Sequence, residues 1–226
     1  ARPEQGVTVR GRPLREGAGA GAAAGYGPLH QGSDGAGSIR MPAHFSGVFG
    51  LKPTFGRVPN VPVRGNDQVS HTGPMTRTVA DAALMLQVMA GPHPLDHYSL
   101  EGEPAPYLDG LREGIGGLKV AYSPDLGHAR VDPEIAEVVA SAVGAFADLG
   151  VSVEQVSTPF GPNGPDIVRF FWAAHELELA SRLPQFADKM DPGLVACIES
   201  AQSYSALEYL EMRAAKHDYI AEIHTL

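Results

Sequence analysis

Three consecutive patterns between Leu118 and Val156 limit the architectures open to this chain. "LKVAYSP" (118–124) reads as a strand, and "VSVEQV" (151–156) alternates as a second one. Between them, Asp132-Pro133 places a helix cap directly before a proline suited to the first helical position. Ile135, Val138, Val139, Ala142, Phe146 and Leu149 give that helix one apolar face, and Gly150 ends it. Strand, helix and strand on short connections make a βαβ unit. The expected fold class is therefore α/β, with a mixed, largely parallel β-sheet core flanked by helices.

Other helix signals lie on both sides of this unit. Residues 18–25, "AGAGAAAG", predict a short helix of small residues suited to close packing. Thr78, with Asp81 three residues on, caps a helix through "TVADAALMLQVMAG" that Gly91-Pro92 stops; Val79, Ala82, Ala83 and Leu86 share its apolar stripe. A further helix is expected over 166–182, and another from Ser205, where Glu208 completes a capping box, towards Leu226. Phe170, Phe171 and Trp172 are spaced for core packing, with a pocket wall as the other reading. Residues 26–59 read mostly as loop with short extended pieces such as "GVFGL", and Pro42 is expected to turn the chain out of any helix.

Composition narrows the function classes. The chain has 226 residues, 43% of them hydrophobic, which is ample for a core, and a net charge of −9 that disfavours nucleic acid or an anionic membrane as partner. No run of 18 apolar residues suggests a membrane span, and no apolar stretch follows Arg2, Arg10, Arg12 and Arg15 to make a secretory signal. A single cysteine, Cys197, rules out an internal disulfide and fits a reducing compartment, so a cytoplasmic location is expected. His93 and His97 are four apart, but Pro94 between them argues against a helical metal site, and no metal or cofactor is expected.

The densest chemistry lies in "GSDGAGSIRMPAHFSGVFGLKPTFGRVP", Gly32 to Pro59, with six glycines in 28 positions. A serine nucleophile needs a base for its proton and donors for the oxyanion formed on attack. Gly35-Ala36-Gly37-Ser38 can supply the donors, because small residues let successive N–H groups approach a substrate carbonyl. Asp34 and Arg40 flank the loop, and a buried pair between them would brace it. From spacing alone the same residues also read as an ordinary tight turn. Gly17-Ala18-Gly19-Ala20-Gly21 imitates a dinucleotide fingerprint, but no apolar strand precedes it and no lysine follows.

This stretch resembles the signature of the amidase signature family of serine hydrolases. The similarity continues through "HTGPMTRTVADAALMLQVMAG" (71–91), then more diffusely through "GLKVAYSPDL", the Asp132 helix and "ADLGVSVEQV", covering residues 17–226 in order. The resemblance implies an α/β fold and cleavage of amide bonds by a serine–cis-serine–lysine triad. It implies Ser38 as nucleophile, the amides of Gly35, Ala36, Gly37 and Ser38 as oxyanion hole, and Asp34 and Arg40 as loop braces. Ala36 departs from the glycine common in the family. The implied partner is a small-molecule amide, with self-association of the chain also expected.

The family's bridging serine lies in a "GGSSGG" run that aligns with Arg12 to Gly17, and its position falls on Leu14, which cannot relay a proton. The lysine base of the family would lie upstream of Ala1. Lys52, in "GLKP", is a family position of structural character, and His30, His44 and His71 are the nearby histidines in sequence. The expected organisation is a non-matching segment, 1–16, followed by a partial amidase signature domain, 17–226, incomplete at both ends. The expected function is carboxamide hydrolysis through a serine acyl-enzyme, with this chain slow or inactive. The alternatives are a catalytically dead remnant or interaction module, and the A subunit of a tRNA-dependent amidotransferase. Met41, where that subgroup is expected to carry glutamine, weighs against the last.

Overall fold

The structure, a computed structural model, describes residues 17–63, 69–158 and 163–225. The chain divides into two compact units, Ala1–Glu113 and Gly114–Leu226. Segment 1–16, including Leu14, lies outside the described residues.

The first unit is built on three antiparallel strands in the order β1-β3-β2: Leu29–Asp34 (β1), Phe49–Gly50 (β2) and His71–Thr76 (β3). Helices Gly17–Ala24 (α1), Arg40–Ser46 (α2) and Val79–Met89 (α3) pack against it. The small residues of α1 permit close approach. A side chain at Gly19 would meet Pro42 at 3.0–3.1 Å, and one at Gly21 would meet the His30 ring at 3.0 Å. Arg77 Nη1 donates to the Ala22 and Gly27 carbonyls at 2.8 and 3.0 Å, one acceptor in the last turn of α1 and one in the connection to β1. Ile39 and Met75 are wholly buried at the centre of this unit, each worth about 1.5–3 kcal/mol of transfer from water.

One feature corrects the sequence expectation for residues 26–59, and a second, over 71–76, was not anticipated. Residues 40–46 form a helix, and Pro42 is its third residue. In the first turn an N–H has no intrahelical acceptor, so the proline removes nothing the helix uses. Residues 71–76 are the central strand despite Pro74. The Pro74 carbonyl accepts from Leu51 N at 3.0 Å, on the side where β2 has already ended at Gly50. The missing N–H faces that same side, so the ladder with β1 is intact.

In the second unit, Lys119–Tyr122 (β4) pairs in parallel with Ser152–Gln155 (β5), and Pro133–Asp148 (α4) connects them. Asp132 caps α4, its carboxylate accepting from Glu134 N at 2.9 Å, with Pro133 at the first helical position. This is the βαβ unit read from the sequence. Among the described residues parallel pairing is confined to it, while the sheet of the first unit is antiparallel throughout.

The rest of the second unit is helical: Gly164–Glu176 (α5), Leu183–Phe186 (α6), Pro192–Ala201 (α7) and Ala206–Ile223 (α8). The helix expected over 166–182 ends at Glu176 and continues as a tighter 3₁₀ turn over Leu177–Arg182. Phe170 stacks on Tyr204 with ring centroids 4.4 Å apart, and Phe171 meets Tyr209 edge-on at 5.6 Å. These rings join α5 to the α7–α8 region, which is the packing role. The Ser205–Glu208 capping box starts α8 as expected.

Candidate active site

Ser38 stands in the turn between β1 and α2, half-buried, and the turn is organised around one carboxylate. Asp34, the last residue of β1, is completely buried. Its Oδ1 accepts from Gly37 N at 2.6 Å and from Arg40 Nη2 at 3.0 Å. Its Oδ2 accepts from Arg40 Nε at 2.9 Å and from the amides of Ile39 and Arg40, both at 3.3 Å. Asp34 thus caps the start of α2 across the loop, where anionic charge suits the helix terminus.

The sequence explains why the chain can turn this tightly. Gly37 has φ +120°, a conformation that L side chains rarely adopt, and a Cβ there would meet Met41 Sδ at 2.9 Å. The expected Asp34–Arg40 brace forms as a bidentate pair, though not a fully buried one: the Arg40 side chain is 56% exposed. Burial alone would push the Asp34 carboxyl up, but the Arg40 guanidinium and the amides of Gly37 and Arg40 outweigh it. They hold the group well below the usual carboxylate range.

The Gly37 N–H is therefore already engaged inside the loop. Among the described residues, the amides of Gly35, Ala36 and Ser38 find no acceptor within the chain. Ser38 Oγ likewise makes no hydrogen bond among them. None of the three histidines near the loop in sequence hydrogen-bonds to Ser38. His71 Nδ1 lies 2.7 Å from the Val69 carbonyl, His30 Nε2 lies 3.3 Å from that of Gly27, and the His44 ring packs on Phe45. Burial, and to a smaller extent Lys52, hold His71 below the ordinary histidine value, against the opposing pull of the Val69 carbonyl.

One residue joins the site more closely than the sequence reading foresaw. Lys52 Nζ lies 3.6 Å from Asp34 Oδ1 and donates to the Val69 carbonyl at 3.3 Å. Burial lowers its pKa from the usual lysine value, and Asp34 partly offsets that. The signal was its place in "GLKP"; what the sequence did not convey is that residues 51–53 run on beside β3, at Pro74 and Gly73, and that the Lys52 ammonium reaches the end of β1. Among the described residues no three metal-ligating side chains converge.

Known proteins resemble this chain in sequence and in fold. The Amidase family model matches residues 16–224. An acylamidase of Rhodococcus erythropolis is 38% identical over 207 residues, covering 91% of this chain and 38% of that protein. The A subunit of the glutamyl-tRNA(Gln) amidotransferase of Alkaliphilus metalliredigens (strain QYMF) is 37% identical over 172 residues, covering 75% of this chain and 34% of that one. A bacterial aryl acylamidase described as belonging to the amidase signature enzymes superposes with a TM-score of 0.83 at 26% identity, over 92% of this chain and 46% of that structure. The chain spans less than half the length of these relatives. With nearly the whole chain matched in sequence and in fold, it belongs to the amidase signature family.

Proposed function

We propose that this chain carries the nucleophile and the oxyanion-binding loop of a serine amidase, which hydrolyses a carboxamide C–N bond through an acyl-enzyme. Ser38 Oγ attacks the substrate carbonyl, and its proton leaves to a base as the O–C bond forms. The negative charge that develops on the carbonyl oxygen falls on the amides of Gly35, Ala36 and Ser38. Gly37, assigned with them from the sequence, serves by holding the loop on Asp34. Collapse of the tetrahedral species breaks the C–N bond, the amine leaves protonated, and water releases the acid.

The observation that carries this reading is the turn from Gly35 to Ser38, held from within by Asp34, with three amides and one hydroxyl left unpartnered among the described residues. The similarity to an acylamidase supports the same substrate class, small-molecule amides. Leu14 at the relay position costs rate, about 10²–10⁴-fold for the general acid–base help alone. A small panel of aryl and aliphatic amides, read by acid release and by mass spectrometry of the Ser38 peptide, tests the proposal. An acyl adduct on Ser38 that Ser38→Ala lacks is the expected outcome; a folded chain with neither adduct nor turnover is a non-catalytic member of the family.

The similarity to the A subunit of a glutamyl-tRNA(Gln) amidotransferase supports a second reading, ammonia supply to an amidotransferase. Hydrolysis of glutamine in preference to the other amides would favour it. The proposal also includes a cytoplasmic location, to which the single, half-buried Cys197 is suited. The described residues contain no helix long and apolar enough to cross a membrane.

A further inference from the structure

The Asp34 carboxylate is satisfied before Lys52 arrives. Arg40 grips it with two nitrogens and three backbone amides occupy its remaining directions. A second cation beside a carboxylate already paired is not needed to neutralise it, and moving that cation out of water is costly. Yet Lys52, with its side chain only 20% exposed, is fixed at two points, Asp34 Oδ1 and the Val69 carbonyl. The cluster then holds one negative and two positive charges. Arg40 projects largely into water, where its charge is screened, whereas Lys52 is largely shielded from it.

We propose that Lys52 is a positioning residue for the serine loop: acting through Asp34 Oδ1 and the Gly37 amide bound to it, its ammonium gives the loop the positive field that an oxyanion requires. The catalytic consequence rests on the amide-hydrolysis reading of Ser38. Lys52 itself touches no reacting atom. Its charge acts on the anionic tetrahedral state more than on the neutral amide, so it raises the rate of attack with little effect on ground-state binding.

Two measurements on the full chain test this. The first is the Gly37 amide proton resonance followed from pH 6 into the alkaline range. Among the described residues the charged groups around Lys52 are Asp34 on β1, which titrates only in acid, Arg40 on α2, which stays charged, and His71 on β3, which titrates below its ordinary value. An alkaline shift of the Gly37 resonance that Lys52→Met abolishes is the expected result. The second is the rate at which Ser38 Oγ takes a fluorophosphonate, forming the O–P bond as fluoride leaves. Lys52→Met should slow it about tenfold, less than loss of a direct oxyanion donor would. Lys52→Arg, which keeps the charge, should recover most of the rate, and the concentration giving half-maximal rate should hardly move.

A Gly37 resonance indifferent to Lys52→Met, or Lys52→Arg labelling as slowly as Lys52→Met, overturns the proposal. If Lys52→Met fails to fold, the alkaline titration of the unaltered chain and the Lys52→Arg rate still decide it. A wild-type chain that takes no more label than Ser38→Ala overturns the hydrolytic reading instead, and the alkaline Gly37 shift then judges the Lys52 coupling by itself.

Discussion

Replacing the Asp34 carboxylate with an amide of the same shape would leave Arg40, Lys52 and three backbone N–H groups around a side chain that can no longer take them all. Because Arg40 is more than half exposed, the cost belongs at the lower end for a broken buried pair, about 3 kcal/mol for Asp34→Asn in urea unfolding. The same residue sets an acid dependence. Its folded pKa is depressed, so its contribution is complete above the unfolded carboxylate value of about 4 and fades as pH falls below it. Stability measured from pH 6 downward should decline in the unaltered chain through that window and decline less in Asp34→Asn. Gly37→Ala combines a φ of +120° with a clash against Met41. It should cost about 1–3 kcal/mol in thermal unfolding and reduce Ser38 labelling along with it.

At the scale of elements, a side-chain cap at its usual spacing made three helices legible, although α5 was read without one and α7, which Asp191 caps, was not. Thr78 Oγ1 accepts from Asp81 N at 3.1 Å, as the spacing foretold, and Asp132 and Ser205 cap their helices in the same way. Thr78→Ala should therefore lower stability by about 1 kcal/mol in a thermal melt, with α3 the first segment to gain amide exchange. By contrast α2 has Ile39 at its start and no local side-chain cap. Its cap is Asp34, six residues before Arg40, and a distant cap has no fixed sequence spacing. Strand β3 was hidden for a related reason: Pro74 at its centre is tolerated because β2 is two residues long, and the adjacent Gly73 leaves room for the Leu51 carbonyl, which a Cβ there would strike. The Ser38 loop was legible through its resemblance to a family signature, but the engagement of Gly37 and the reach of Lys52 depend on folding that spacing does not encode.

The whole molecule leaves large apolar side chains in water. Phe45 is 70% exposed, Val88 80% and Val138 61%, and no residue of α4 is buried, although its apolar stripe is where the sequence put it. Surface of this kind favours association. Sedimentation velocity should show an average mass that rises with concentration, and Val138→Glu should reduce that rise without altering the circular dichroism spectrum. The serine loop is held by residues close to it in the chain. Its carboxylate, its amides, its arginine and its lysine all come from residues 34–52, steadied by the Val69 carbonyl. The cradle around Ser38 is in that sense a self-contained cassette: a stretch of chain that keeps β1, α2, Lys52 and β3 keeps the bonds that shape the proposed nucleophile's turn.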